Sequence, residues 1–527
     1  MELNLADLFE CVADTLPDRL ALVADDQRLT YRGLDERATR LAHGLAGLGV
    51  GAGDHVGLHL FNCGEHIDAL LACFKLRAVP INMNVRYTTA ELVHLAADAD
   101  LSLIVRDPEL PPVPGVAALD RGAPYDAVVA SGSPVRDFGA RSADDRYILY
   151  TGGTTGFPKG VVWRQEDIFF AVLGGGNPGG PPIRRADEIA STVVENRAQR
   201  LAPFLSPGDA GPDRFVSLAI GPLMHASGQW TSLGALLAGG TLVLGTDRHV
   251  DMTRVLDLIE RERVVSMSLV GDASALPMLE LLEAHPQRWD TSSLRLLGSG
   301  GTILTADLKA RLLAALPSVV VITEAIGSSE CPVQATAVVT RDGAPSPSLT
   351  FAPRPETAVL DDDLRPLPPG SALVGRLATR GRVPLGYYKD PARSAATFVE
   401  IDGERWSMPG DMAMVDLDGT IRLLGRGALC INTGGEKVYP EEVEAVVKAH
   451  PSVVDALVVG VPDARRGQMV AAVVSGAITL DALQAHCRGW LAGYKVPRAL
   501  RVVDQIERSP AGKGDYVWAR AQFAADA

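Results

Sequence analysis

Residues 150–160 read YTGGTTGFPKG: four glycines, three threonines and one lysine within eleven positions. Glycines let backbone N–H groups approach an anion closely, and successive amides form an anion-binding concavity. Thr151, Thr154 and Thr155 add hydroxyl donors, and Lys159 adds charge. The flanking segments RYILY and GVVWR both have strand character, so the loop joins strand to strand. Pro158 precedes Lys159 and Gly160 follows it, which excludes the Gly-Lys-Ser/Thr ending of a P-loop before a helix.

Outward from this loop the chain alternates helix with buried strand. LTYRGLDERATRLAHGLAGLGV places Leu34, Ala38, Leu41, Leu45 and Leu48 on one helical stripe, closed by Gly49 and Gly51. HVGLHLF reads as a strand, EHIDALLACFKLRA as a helix and VPINMN as a strand. The pairs TAELVHLAADAD with LSLIV, and TRVLDLIERER with VVSMSLV, repeat the theme. Such units predict an α/β fold with parallel sheets flanked by helices. Residues 174–214, flanked by Gly and Pro clusters, read as a surface excursion or lid. After Gly425 the rhythm changes to a helix PEEVEAVVKAH with Pro440 in its first turn, strands VDALVVGVP and MVAAVVSG, a helix near 480–492 and a strand near 499–504. The expectation is a large N-terminal domain, 1–425, and a small mobile α+β domain, 426–527.

The 527 residues carry a net charge of −14 with no basic run, which argues against nucleic acid or an anionic membrane as partner. No signal-peptide pattern opens the chain, and apolar runs such as DALLACFKL are broken by charge well short of the ~18 residues of a membrane span. The six cysteines lack CxxC spacing, so reduced thiols and a cytoplasmic location are expected.

The glycine loop resembles the signature phosphate loop of the adenylate-forming (ANL) superfamily: acyl- and aryl-CoA synthetases, firefly luciferases and peptide-synthetase adenylation domains. Matching segments follow in the family's order along nearly the whole chain. By this resemblance Thr151, Gly152, Gly153, Thr154, Thr155, Gly156 and Lys159 cradle ATP phosphates. PLMHASG places His225 beside the substrate carboxylate, where amino-acid-activating relatives carry an aspartate. GSGGTILT supplies Gly300, Gly301 and Thr302 against adenine, and EAIGSSE supplies Ile326, Gly327, Ser328 and Ser329, with Glu330 as the Mg²⁺ carboxylate. Ile326 stands where many relatives have an aromatic residue.

Further along, Asp411 is implied to accept the ribose hydroxyls and Arg426 to contact ribose or phosphate. Gly434 and Gly435 would border the pantetheine tunnel, Lys437 would reach phosphate after a domain rotation, and Lys513 would be the adenylation lysine. Leu429 occupies a hinge position that is usually Asp or Lys. His225, Trp230, Gly271 and Asp272 are candidate pocket residues, Asp272 reading equally well as a helix cap. The combined segments look most like bacterial fatty-acid and steroid-side-chain CoA ligases.

The implied reaction is ATP-dependent activation of a small carboxylic acid through an acyl-adenylate, then transfer to coenzyme A. Catalytic roles fall on Lys513, His225, Thr154, Glu330 and Lys437. Two alternatives share these residues: loading a carrier protein, and activating an acid or nitrite for an amine in amide or N–N bond formation. The chain ends soon after Lys513, so no fused carrier domain is expected. A non-enzymatic binding protein is disfavoured because the lysine and glutamate are present, and a homodimer is compatible with the resemblance.

Overall fold

The structure, a computed structural model, describes residues 3–151, 158–175, 182–193, 215–302, 304–341, 343, 349–433, 436–463, 467–509 and 512–523. The threonines and glycines at 152–156, together with Gly434 and Gly435, lie outside them.

Apolar strands that alternate with helices cannot pair as hairpins, so they stack in parallel. Strands Val79–Asn82, His55–His59, Leu101–Arg106 and Ala117–Asp120 do so in a seven-stranded sheet. Arg146–Thr151 joins it in parallel, and Lys159–Arg164 returns antiparallel, as expected for a loop between two strands. A 15-stranded sheet has a parallel half containing Val216–Ala219, Ser266–Leu269, Leu296–Gly300 and Val321–Ile326. Beyond Val321–Ile326 it continues antiparallel through Ala335–Thr340, Thr350–Pro353, Ile421–Arg426 and Asp411–Val415. A five-stranded sheet forms the small C-terminal unit, with helices Pro440–Lys448, Leu480–Arg488 and Tyr516–Ala521 around it.

Local sequence explains the helices that cover these sheets. Tyr31–Gly47 starts at Thr30, whose hydroxyl accepts from Gly33 N–H, and buries Leu34, Ala38, Leu41 and Leu45 completely. Leu48 departs from the expected stripe: the helix ends at Gly47, so Leu48 falls off its period and stays 50 % exposed. The lysine that breaks DALLACFKL is itself fully buried, Lys75 pairing with Glu10 at 2.6 Å and Asp35 at 2.7 Å. A buried ammonium persists only when its charge is matched in this way.

Two other expectations shift. The described part of 174–214 is no simple surface excursion, because Ile183, Ala186, Ile189 and Val193 are buried in the same core as helix Leu5–Thr15. The helix expected near 480–492 ends at Arg488, leaving Trp490 exposed. Among the described residues no helix is long and apolar enough to cross a membrane, and no cluster of three or more His, Cys, Asp or Glu could hold a metal alone.

Candidate active site

Parallel strands deliver backbone groups and loops at their carboxyl ends, where ligands of open α/β sheets bind. Thr151 ends one such strand; Gly300 and Ile326 end two others, and His225 and Gly271 follow two more. Candidate residues from position 151 to position 326 are thereby gathered along one rim.

The phosphate side is organised around Glu330. Its Oε1 lies 2.8 Å from Lys159 Nζ and accepts a hydrogen bond from Tyr387 OH at 2.7 Å. Lys159 also donates to Tyr387 OH at 2.7 Å. Burial alone would raise the Glu330 pKa. The Lys159 charge and hydrogen bond outweigh it, with help from Tyr387 and Arg426, and hold the carboxyl below its usual range. Glu330 is presented by a tight turn in which Ser328 N–H donates to Cys331 O at 2.8 Å. Gly327 is required there, since a Cβ would lie 2.0 Å from Pro332 O. Trp163 Nε1–H, from strand Lys159–Arg164 of the other sheet, donates to Ser329 O at 3.0 Å and clamps the turn.

A charged, buried carboxylate with a cation already at one oxygen has the donor chemistry of a hard divalent ion. Mg²⁺ commonly takes one or two protein carboxylates and draws its other ligands from phosphates and water. Glu330 therefore fits such an ion.

On the nucleotide side, Asp411 Oδ1 pairs with Arg426 Nε at 3.0 Å across adjacent strands. Burial raises the Asp411 pKa, and Arg426 opposes it. The Thr302 hydroxyl is buried without a partner among the described residues, beside Gly300 and Gly301. Ile326 is largely taken up by a core cluster with Ala335, Phe351 and Leu377 and is 8 % exposed.

On the acid side, His225 immediately precedes helix Ala226–Leu237, and its Nε2 is buried with no hydrogen-bond partner among the described residues. Burial, then Lys513 and Arg86, push its pKa down to about 4, so the ring is neutral at pH 7. Gly228 lets the loop fold on itself, because a Cβ there would lie 2.4 Å from Pro222 O. Trp230 is buried on the same helix. Asp272 is engaged elsewhere: Oδ1 accepts Thr305 N–H at 2.8 Å, and Oδ2 lies 3.9 Å from Lys448 of the C-terminal unit. Gly271 N–H donates to Ser299 Oγ at 3.2 Å.

The C-terminal unit brings Lys513 to this rim. A hydrogen-bonded turn, Ser509 N–H to Lys513 O at 2.7 Å and Gly512 N–H to Ser509 O at 2.8 Å, presents it. Gly512, at φ +72°, packs so closely that a Cβ would lie 2.8 Å from Val270 Cγ1 and 3.7 Å from Thr302 Cγ2. Lys513 keeps solvent-accessible surface, while the surrounding cleft walls displace enough water to lower its pKa. Arg426 lowers it further, with a smaller effect from Lys159; Glu330 and Asp411 act in the opposite sense. Lys437 is instead exposed in the hairpin formed by Ile431–Thr433 and Glu436–Val438. The structure thus gathers Lys513, Glu330, Asp411, Arg426, Lys159 and His225 and leaves Lys437 outside.

Residues 9–388 match the AMP-binding enzyme family, and residues 442–513 match the AMP-binding enzyme C-terminal domain. The chain belongs to the AMP-binding enzyme family. It is an ATP-dependent, adenylate-forming ligase of the ANL superfamily. It is 42 % identical to a 3-oxocholest-4-en-26-oate–CoA ligase of Rhodococcus rhodochrous, over 99 % of this chain and 96 % of the relative. A feruloyl-CoA synthase of Amycolatopsis sp. is 32 % identical over 92 % of both chains. Among solved structures, an anthranilate CoA ligase with anthranoyl-AMP superposes with TM-score 0.82 at 22 % identity, over 99 % of this chain and 98 % of the other. ATP-bound MatB from Rhodopseudomonas palustris superposes with TM-score 0.79 at 26 % identity, over 99 % of both.

Tyr387 escaped the reading of this AMP-binding enzyme's sequence, although it bonds both Lys159 and Glu330. Nothing local marks it, since its partners lie 228 and 57 positions away. Asn82, whose side chain bonds both Tyr150 and Met224, was missed as well; only its polar character at the end of an apolar buried strand marks it.

Proposed function

We propose that this ligase couples ATP cleavage to thioester formation between coenzyme A and a medium- to long-chain fatty acid or a steroid-side-chain acid. The observation that carries this reading is the packing of the Lys513 turn, from the C-terminal unit, against Val270 and Thr302, which sets Lys513 in the field of Glu330, Asp411 and Arg426. The relatives' printed activities supply the acid class. They do not favour an amine or a carrier protein as acceptor.

In the first half-reaction a carboxylate oxygen attacks the α-phosphorus of ATP, the bond to the bridging oxygen breaks, and pyrophosphate leaves. Both reactants are anionic, so positioning and charge stabilisation carry the catalysis. Lys513 supplies an ammonium with no hydrogen-bond or ion-pair partner among the described residues, free to meet charge developing on the phosphate. Asp411 accepts the ribose hydroxyls, and Arg426 holds that carboxylate in place. Lys159, Thr151 and the glycine loop contact the β and γ phosphates. Glu330 holds Mg²⁺, which neutralises phosphate charge when bound. His225, neutral and with its Nε2 unpartnered among the described residues, borders the acid carboxylate.

In the second half-reaction the CoA sulfur attacks the acyl carbon, AMP leaves, and the thiol proton passes to solvent. For this the small unit after Arg426 rotates against the large one, whose sheet keeps Arg426 on Asp411, withdrawing Lys513 and bringing the 434–437 loop and Lys437 to the cleft. A 3-10 turn, Gly427–Leu429, stands at this boundary. Incubation with ATP, Mg²⁺ and a panel of acids, scored by AMP release with and without CoA, tests the reading. CoA-stimulated release with long apolar acids supports it, and release independent of CoA for every acid contradicts it.

A further inference from the structure

Asn82 closes the strand Val79–Asn82 with its side chain buried. The backbone pairing of this strand with Arg146–Thr151 is registered at Ile81 and Ile148. One step further, the Asn82 side-chain amide takes over what a peptide group would do. Its Oδ1 accepts Tyr150 N–H at 2.7 Å, and its Nδ2 donates to Tyr150 O at 2.8 Å. The second Nδ2 hydrogen goes to Met224 O at 2.6 Å. Accepting from one N–H while donating to two carbonyls fixes the amide's orientation, and neither a carboxylate nor an apolar group can reproduce it.

Tyr150 precedes Thr151, which lies opposite Lys159 in the antiparallel pair; Met224 precedes His225. Val85 N–H adds a 3.4 Å contact to Met224 Sδ. Asn62 braces the same loop differently: it donates to Gly221 O and Gly245 O and accepts Leu223 N–H, and among the described residues it makes no hydrogen bond to the strand carrying Thr151.

We propose that Asn82 is a positioning residue that sets the separation between the phosphate side of the cleft, Thr151 and Lys159, and the acid side, His225. The proposal rests on the function given above. Near-attack geometry tolerates little error, and a misplacement of about 1 Å costs roughly 100-fold in rate. Asn82 therefore acts on adenylate formation and not on the later thioester step.

The test compares wild type, Asn82→Ala, Asn82→Asp and Asn62→Ala. Acid-dependent pyrophosphate exchange and thioester formation from supplied acyl-adenylate are each normalised to folded protein, with melting temperatures alongside. Both Asn82 variants should lose roughly 100-fold in the exchange kcat. KM for ATP should hold, as should the thioester step. Asn62→Ala should lower the melting temperature comparably while keeping most of the exchange rate. Equal loss in both half-reactions, wild-type exchange in the Asn82 variants, or equal loss in Asn62→Ala would overturn the proposal.

If no Asn82 variant folds, hydrogen exchange on wild type decides. Binding of a stable sulfamate mimic of the acyl-adenylate should raise protection at Tyr150 and at 223–226 together, and a response on one side alone would refute the coupling. Absence of acid-dependent exchange in wild type would instead refute the functional reading.

Discussion

Lys159 and Lys513 reach the same cleft from regions built on opposite principles. Lys159 sits on a sheet strand, paired with Glu330 at 2.8 Å and Tyr387 at 2.7 Å. Lys513 sits on a turn braced by Arg508, whose guanidinium donates to Gly512 O at 2.8 Å and pairs with Asp455 at 2.7 Å. Among the described residues the Lys513 ammonium itself has no such partner. The first cation is already matched within the fold before any ligand arrives; the second is left for the ligand to match. Evenly shared charge would stabilise the protein better but would leave nothing for the transition state to engage.

The largest effect that separates the two regions is kinetic. Lys513→Ala should lower adenylate formation by about 10²–10³-fold, the usual cost of one preorganised donor. Thioester formation from supplied acyl-adenylate should be spared, as stopped-flow assays of the separate half-reactions can read out. Stability should then invert the ranking. Lys159→Met strands the buried Glu330 carboxylate and should cost on the order of 3 kcal/mol in denaturant unfolding. Lys513→Met relieves an unpaired cation and should leave stability unchanged or raised. A destabilised Lys513→Met would break the contrast.

A high-pH limb follows from the lowered pKa of Lys513. Adenylation needs the ammonium, so its rate should fall as pH rises through an inflection below 10.5. The thioester step should lack that inflection, and Lys513→Arg, charged throughout, should remove it.

At the acid end, burial lowers the pKa of His59, His66 and His225 to about 4 each. The unfolded chain takes up these protons near pH 6.5 and the folded chain does not. Stability should therefore fall between pH 6.5 and 4, by roughly 1.4 kcal/mol per pH unit for each histidine. Replacing His66 with Phe should flatten the acid limb of the unfolding curve. The smallest effect is expected for Tyr387→Phe, which removes two hydrogen bonds but leaves the Lys159–Glu330 pair. Adenylation should drop several-fold, the roughly 0.5–1.5 kcal/mol net scale of a hydrogen bond when the ion pair itself is kept.

The same contrast explains what could be read from the chain. Lys159 and Lys513 stand in strings whose composition carries chemistry, and strand character on both sides of residues 150–160 was enough to exclude a P-loop. Parallel sheets followed from apolar strands alternating with helices. Tyr387 and Asn82 were not legible because their meaning lies in pairings across many positions, which periodicity does not encode. Burial of Ile183 and Ile189 was hidden by the Gly and Pro clusters around them. Asp272 read equally as a pocket residue or a helix cap, and its approach to Lys448 was hidden because the C-terminal unit is remote in sequence.

Exchange of labelled pyrophosphate into ATP, driven by a long-chain or steroid-side-chain acid with Mg²⁺, tests the central claim most directly. Label should enter ATP only when the acid is present, and Lys513→Ala should nearly abolish it. Acid-independent labelling, or undiminished exchange in that variant, would contradict the assignment of one mixed-anhydride site to the two units together.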